Sequence, residues 1–446
     1  MTTRQPNDGL RRLYRESGWT LRQVAQEVNR IGTERGTPLK YQEPSVHQWL
    51  NGHLPKEPVR QLVLEAFTRR LLRPVTHAEA GFPAPPEESN GRPSTVEGLI
   101  DLGRQDVDPA RRSVLSAGLF SVAVTVPGWP DVVGRMEAAQ TGTTRRIGTA
   151  EVDMVVAMTE RVSELDDQFG GRHARPMAAA FLVNTVAPYL RADATEHVRK
   201  AMMSAASDLC YLTGYMAVDE GVHGLAQRYY LKALELAGAS EDHLTYCTTL
   251  RGMSVQAVDL RHGKVAMRLA DAAAAASPQA GPRMRAFLAG QQAHAAAQIG
   301  ERRAALAHLR GAEHAMERAE SRGRVFGSYD PASLSYHTSQ VRFELGDTHG
   351  AVAAMQESDR QRYGIYRRTR VKERTILAER QLAVGHLEAA CETWHAALDD
   401  YPMVQSGRVD ARIAGMCGHI RPYLKNQAAR GLYERARVVA PAVVAV

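Results

Sequence analysis

The sequence is poor in the residues that build metal sites, disulfide scaffolds and β-sheets. Its 446 residues include only four cysteines, Cys210, Cys247, Cys391 and Cys417, and no two of them have the spacing of a metal-binding pair. Each lies in an apolar helical stretch, so we expect buried free thiols in a reducing cytoplasm. Aromatic residues make up only 6% of the chain, and this scarcity favours helices over strands. We therefore expect an all-α protein that binds no metal.

The motifs of the common enzyme classes are also missing. The chain has no phosphate-binding loop, no HExxH, no GxSxG and no dinucleotide-binding fingerprint. Its 16 histidines are scattered, without the spacing of a catalytic triad or of a set of metal ligands. We therefore predict that the protein is not an enzyme, with no catalytic residue and no cofactor.

Long apolar runs are absent as well. The best candidate, residues 113–126 after Arg111 and Arg112, is similar to a twin-arginine signal but begins more than 100 residues into the chain. It is too short to cross a bilayer as a helix, so we expect a buried helix there. No other segment indicates targeting, and we predict a cytoplasmic protein without a membrane partner.

The positive charge of the chain is concentrated near its beginning. Residues 1–75 contain 13 basic and 7 acidic residues, a net charge of +6, whereas the whole chain carries +7. A basic module on a nearly neutral body is typical of proteins that bind nucleic acids. A solvated basic surface would give the same count, so the charge alone leaves both interpretations open.

Glycine and proline divide the chain into segments. Four helices are predicted in a module at 1–80: 8–17 closed by Gly18, 21–31 closed by Gly32, 44–51 closed by Gly52, and 57–72 closed by Pro74. A linker is predicted at 81–98 from its proline, glycine and serine content. Residues 99–200 are predicted to be a helical connector that begins a repeat array, and 201–446 to be the array itself.

The second and third predicted helices fit a helix-turn-helix motif. Thr20 is a plausible N-cap, and the apolar residues that follow it share one helix face. In the later helix, Val46, Trp49 and Leu50 should be core, which leaves short polar side chains outside. We predict contacts with base edges or phosphates of double-stranded DNA by Arg22, Gln23, Lys40, Tyr41, Ser45, His47, Gln48, Asn51 and Lys56.

A degenerate repeat of helix pairs occupies the second half of the chain. Five times, a first helix is followed by a turn and then by a second helix that has a small residue near its start. These small residues are spaced 39–46 residues apart: Ala226, Ala266, Ala305, Ala351 and Ala390. Such pairs bury their apolar faces by stacking, which predicts an α-solenoid. An alanine-rich helical bundle without true repeats is the alternative.

Parts of the sequence resemble known families. Residues 21–25 and 45–52 resemble the lambda-repressor-like (Xre-type) helix-turn-helix family, and the repeats resemble tetratricopeptide repeats, as in Gly385, Ala390 and Trp394 with Pro402. The whole layout, including 39–41 and 107–115, is similar to actinobacterial regulators that join such a domain to tetratricopeptide-like repeats. This resemblance implies control of development or secondary metabolism.

The repeat body has two further candidate surfaces. The first helices of the pairs should line a concave groove for a peptide or a small amphipathic ligand, with Tyr211, Tyr215, Arg251, His294, Tyr336, Gln340 and Glu379 facing it. These side chains would otherwise only pack between helices. The second surface is the basic cluster at 360–374, which is either a solvated, salt-bridged face or a site for an acidic ligand, DNA or a partner.

Two functions are consistent with these features. The first is a ligand-gated DNA-binding regulator, expected to be a homodimer because one helix-turn-helix contacts only a short site. The second is an interaction scaffold whose N-terminal module docks a protein instead of DNA.

Overall fold

All regular elements in the described residues of the protein are helical. The computed structural model describes residues 6–34, 39–71, 75–83, 95–107, 120–122, 146–276, 280–319 and 329–440. Within these ranges there is no β-strand, only an isolated bridge between Arg146 and Asp193. The prediction of an all-α protein with a helical-repeat body is confirmed.

Four helices form the N-terminal module: α1 (Asp8–Ser17), α2 (Leu21–Glu34), α3 (Glu43–Leu50) and α4 (Glu57–Leu71). At the start of α1, the Asn7 side chain accepts a hydrogen bond from the Leu10 amide at 2.9 Å. Its end is Gly18, in the left-handed conformation with φ 62°. The predicted stop at Gly32 is wrong: α2 continues to Glu34, because a glycine inside a helix is tolerated at modest cost when the flanking turn is packed. Ile31 beside it is fully buried.

A compact apolar core holds these four helices together. Leu13 of α1, Val28 of α2, Trp49 of α3 and Phe67 of α4 all lie in one buried cluster. Phe82, which follows α4, is also part of it. The apolar spacing along α1, α2 and α3 thus buries one face and leaves the other exposed, whereas α4 is buried all round from Leu62 to Thr68.

The body follows as a series of helices. They are α5 (Thr95–Val107), α6 (Thr149–Phe169), α7 (Gly171–Phe181), a π-helical turn (Leu182–Val186), α8 (Ala187–Leu190), α9 (Glu196–Asp219), α10 (His223–Ser240), α11 (His243–Asp259), α12 (Gly263–Ala275), α13 (Pro282–Gln298), α14 (Arg302–Glu317), α15 (Pro331–Glu344), α16 (Thr348–Gln361), α17 (Arg367–Ala383), α18 (Leu387–Asp400), α19 (Gly407–Ile420) and α20 (Gln427–Val439).

Consecutive helices of the body pack as pairs, from α9 with α10 to α19 with α20. All five small residues predicted at the pair contacts are fully buried. Gly221, Gly300, Gly346 and Gly385 lie in the turns with φ between 80° and 88°, a backbone conformation that glycine adopts without steric cost. In the α11–α12 turn, Arg261 adopts the same conformation with φ 62°. The predicted repeat of helix pairs is therefore observed.

One further pair, α6 with α7, precedes the predicted repeats and packs against α9. The superhelix also brings α6 into contact with α17, which lies about 200 residues later in the chain. At this closure the Gln405 amide donates to the Phe169 carbonyl at 2.6 Å, and the Arg172 amide donates to the Gln405 carbonyl at 3.2 Å. The α6–α7 pair therefore contacts both α17 and the segment that precedes α19.

Other predictions fall partly outside the described residues. This applies to the buried helix expected at 113–126, apart from 120–122, and to the middle of the linker expected at 81–98. The flanks of that linker are ordered, because Phe82 belongs to the N-terminal core and α5 begins at Thr95. All four cysteines are buried and free, as expected. None of the helices in the described ranges is long and apolar enough to span a membrane.

Candidate nucleic-acid interface and inner face of the repeats

Helix α3 presents a polar face above a packed core. Val46, Trp49 and Leu50 are buried, as the sequence predicts, whereas His47 and Gln48 are exposed. Ser45 is half-buried on the same helix. A short helix of this kind, held by its apolar side and exposed on its polar side, has the form needed to enter a major groove.

Three of the predicted cationic contacts are exposed around this helix: Arg22 at the start of α2, Lys40 before α3 and Lys56 before α4. Within the part of the chain that the structure describes, none of them has a carboxylate within 4 Å. Their charges are therefore available to an anionic partner such as a phosphate.

Two predicted contact residues also have internal partners. The Gln23 side chain accepts from the Thr20 amide at 2.8 Å, and the Gln23 amide donates to Thr20 Oγ1 at 3.3 Å, a reciprocal cap at the start of α2. Asn51 Oδ1 accepts from Arg11 at 2.6 Å, and its amide nitrogen lies 3.2 Å from His47. Arg11 also donates to the Leu50 carbonyl at 3.0 Å, so α1 fixes the end of α3.

The connector before α3 is anchored at its described end. Asn29 of α2 donates to the Tyr41 carbonyl and accepts from the Tyr41 amide, both at 2.8 Å. The Tyr41 ring packs edge-on against Trp49, with 5.1 Å between centroids. Tyr41 is thus partly structural, and its backbone sets the orientation of α3 against α2.

A second region of interest is the inner face of the repeats, where the predicted groove residues lie on the first helices of the pairs: Tyr211 and Tyr215 on α9, Arg251 on α11, His294 on α13, Tyr336 and Gln340 on α15, and Glu379 on α17. Tyr211 and His294 are buried, and the other five are half-buried. The Gln340 amide donates to the Tyr336 hydroxyl at 2.8 Å. Glu379 is instead paired with Arg412, at 3.0 Å.

The basic cluster at 360–374 is not one surface. Arg362 is buried beside Glu373 at 2.9 Å, and Arg368 is buried beside Asp166 at 2.8 Å. Arg374 pairs with Asp359 at 3.0 Å. Lys372 faces the inner side, with its amine 4.9 Å from the Tyr336 ring centre. Most of the cluster therefore stabilises the fold through ion pairs with residues on other helices.

A three-residue segment, Phe120 to Val122, connects the N-terminal module to the repeat body. Glu65 of α4 accepts from the Ser121 hydroxyl at 2.7 Å and from the Val122 amide at 2.9 Å. On the other side, the Ser121 amide donates to Gln227 and the Gln227 amide donates to the Ser121 carbonyl, both at 2.9 Å. These contacts cross-link α4 to α10.

Aromatic packing and a buried charge complete this junction. The Phe120 ring stacks on His262 with 5.2 Å between centroids and an interplanar angle of 1°. Burial raises the pKa of Glu65, and the Arg69 guanidinium 3.0 Å away opposes that rise. The sequence gives no signal for this junction, since its contacting residues are up to 142 positions apart, as Phe120 and His262 are, and share no motif.

Among the described residues, no three histidine, cysteine, aspartate or glutamate side chains are grouped to hold a metal ion. Comparison with curated proteins finds no match to the chain. A family model does match its first module. Residues 10–83 match the family described as the SP15 N-terminal domain, and this range coincides with the apolar core that runs from Leu10 to Phe82. The N-terminal module is thus similar to the SP15 N-terminal domain.

Proposed function

We propose that this protein is a cytoplasmic DNA-binding transcriptional regulator, in which α2 and α3 form a helix-turn-helix and the tetratricopeptide-like body senses a ligand or partner. The observation that carries the proposal is the exposed polar face of α3, with His47 and Gln48 outward and Trp49 inward. Short polar side chains on such a helix bond base edges in the major groove.

The surrounding charges support DNA as the partner. Arg22, Lys40 and Lys56 are exposed, and no acidic partner lies beside them in the described part of the chain. Each phosphate that such a cation neutralises releases a counterion, which gives binding a steep dependence on salt. A protein-docking module would not need this excess of exposed positive charge.

The junction at 120–122 supplies a physical route from the body to the DNA-reading module. It holds α4 against α10 through Glu65, Ser121 and Gln227. A ligand that favoured one arrangement of the repeats would alter this contact and hence the placement of α3. As a homodimer, the protein would place two copies of α3 on a two-fold operator.

The test is DNA binding by the full-length protein at two salt concentrations, on DNA from upstream of its own gene and on random DNA. We expect a sequence preference that is lost in the His47→Ala/Gln48→Ala variant. We expect Lys56→Ala to weaken binding to all DNA and to lower the salt slope by about 1. The matched control is Arg303→Ala, which removes an exposed cation from α14.

Loss of binding must be separated from loss of folding. Trp49→Ala removes a core side chain and should unfold the module, whereas the His47/Gln48 variant should keep the wild-type circular dichroism and melting temperature. If the full-length protein binds neither DNA at low salt, the proposal is wrong and the scaffold function takes its place. Sedimentation of the free protein tests the homodimer.

A further inference from the structure

Three cations on the inner face of the repeats lie against aromatic rings and not against carboxylates. The Arg251 guanidinium carbon is 3.5 Å from the Phe287 ring centre. Lys372 Nζ is 4.9 Å from the Tyr336 ring centre. The Arg380 guanidinium carbon is 4.6 Å from the Phe343 ring centre. An aromatic face attracts a cation but does not neutralise its charge.

Other arginines of this face have acidic partners. The pairs are Arg368 with Asp166, Arg408 with Asp259, Arg412 with Glu379 and Arg261 with Glu344, at 2.5–3.0 Å. For Arg251, Lys372 and Arg380, no carboxylate lies within 4 Å in the described ranges. Buried cations are normally paired, and Arg380 is 4% exposed without such a partner, while Arg251 and Lys372 are half-buried.

The three side chains come from α11 and α17 and contact rings of α13 and α15. Arg380 of α17 donates to Ser339 and Gln340 of α15, both neutral acceptors. The α15 and α17 backbones approach each other less closely than the other successive inner helices do. Arg251 Nε of α11 is buried without a hydrogen-bond partner among the described residues.

A chain of ring contacts links Arg251 to Lys372. Phe287 lies 5.4 Å from Tyr329, Tyr329 lies 5.4 Å from His337, and His337 lies 5.6 Å from Tyr336. Burial lowers the pKa of His337, and the charges of Arg251 and Lys372 lower it further. His337 therefore lies in a positive potential from both cations.

We propose that this inner face binds a small organic anion, with its carboxylate or phosphate group in the shared positive potential of Lys372, Arg380 and Arg251. Such a group supplies negative charge and strong acceptors for the guanidinium and ammonium donors. The neighbouring rings accommodate an aromatic or apolar body. The inference rests on the proposed function, since the anion would be the signal that the body senses.

The size of the ligand follows from the closure of the groove. Arg408 joins the start of α19 to the end of α11, and Arg261 joins the α11–α12 turn to the end of α15. These ion pairs link the ends of the inner helices α11, α15 and α19. His294, His337 and Arg380 are all more than nine-tenths buried. An extended peptide or a nucleic acid would not fit without opening these pairs.

The test uses four compounds of similar shape with the full-length protein: phenyl phosphate, benzoate, benzyl alcohol and benzylamine. Calorimetric titration and thermal melting are recorded for each. We expect the two anions to bind saturably and raise the melting temperature, and the neutral and cationic compounds to do neither. Lys372→Met should weaken anion binding about tenfold or more, whereas Lys372→Arg should retain most of it.

A second readout separates a binding role from a structural one. Lys372→Met removes a half-buried cation that has no carboxylate within 4 Å in the described ranges, so the melting temperature of the free protein should stay close to that of the wild type. Arg303→Met, which removes an exposed cation from α14, should leave anion binding unchanged. The proposal is wrong if neither anion binds, if benzylamine binds as well as benzoate, or if Lys372→Met binds both anions normally.

Anion binding is measured separately from DNA binding, so the two proposals can fail independently. Lys372→Met should retain the DNA affinity of the wild type in the absence of anions. DNA binding without anion binding would overturn this inference alone, whereas anion binding without DNA binding would overturn the proposed function alone.

Discussion

Arg368 and Asp166 are separated by 202 positions in the sequence, yet their side chains form a buried ion pair at 2.8 Å. Arg368 also donates to the Asp166 backbone carbonyl at 3.1 Å and lies 3.5 Å from Asp219. The pair joins α17 to α6 and thereby closes the superhelix. Because both groups are nearly inaccessible to solvent, each depends on the other for its charge to be tolerated.

Removing one partner of this pair should destabilise the protein strongly. Arg368→Met leaves the buried Asp166 carboxylate without its paired cation, and we expect a loss of about 3–5 kcal/mol in the free energy of unfolding. Urea denaturation followed by circular dichroism measures it. The control is Arg360→Met, since Arg360 pairs with Glu357 on an exposed surface and should leave the midpoint unchanged. Equal midpoints for both variants would mean that the closure does not stabilise the fold.

The junction at Phe120 should couple the unfolding of the module to that of the body. Phe120→Ala removes a side chain that is 4% exposed and stacked on His262, at a cost of about 3 kcal/mol. We expect one calorimetric transition in the wild type and two in the variant. Tyr363→Ala, which removes a ring that is 66% exposed, should preserve the single transition. A single transition in both variants would show that the segment does not couple the two parts.

The turn glycines should be intolerant of a side chain for backbone reasons alone. At Gly385 φ is 86°, and a Cβ at this position would meet no described atom within 4 Å. Gly385→Ala should therefore cost about 1–2 kcal/mol from the left-handed conformation. Gly415 lies inside α19 with similar open space, so Gly415→Ala should stabilise by up to about 1 kcal/mol. A higher melting temperature for Gly385→Ala than for Gly415→Ala would contradict this explanation.

Buried and half-buried histidines should make the protein less stable in acid. Burial lowers the pKa of His262 to about 3, and lowers those of His223 and His294 to about 4. In the unfolded chain these groups bind protons below pH 6.5, while the folded protein does not bind them until lower pH. The stability present above pH 6.5 is therefore lost as the pH falls, by up to about 1.4 kcal/mol per pH unit for each histidine.

Urea denaturation between pH 7.5 and about 5 measures this dependence. His262→Gln and His294→Gln should each reduce the slope of stability against pH. His314→Gln changes an exposed histidine of α14 and should not. A slope that is the same in all three variants would assign the acid sensitivity to other groups.

The local structure of this protein is determined largely by its sequence. Alanine-rich helices, glycines at left-handed turns and small residues at 39–46-residue intervals predict the stacked pairs, and all five of those small residues are buried. The apolar positions of α3 likewise predict which of its side chains are core. These features follow from contacts within a few helical turns, which the spacing of residues along the chain encodes directly.

The long-range contacts are decided only by the tertiary structure. The sequence shows the arginines at 360–374 as one cluster, but their partners lie on other helices, as Asp166 does for Arg368. Gln23 is used in a helix cap, and Ser121 bridges Glu65 to Gln227. Likewise, only the tertiary structure shows that Arg251, Lys372 and Arg380 lie against aromatic rings and have no carboxylate within 4 Å in the described ranges. Charge pairing has no periodicity along the chain, so its outcome depends on how the superhelix closes.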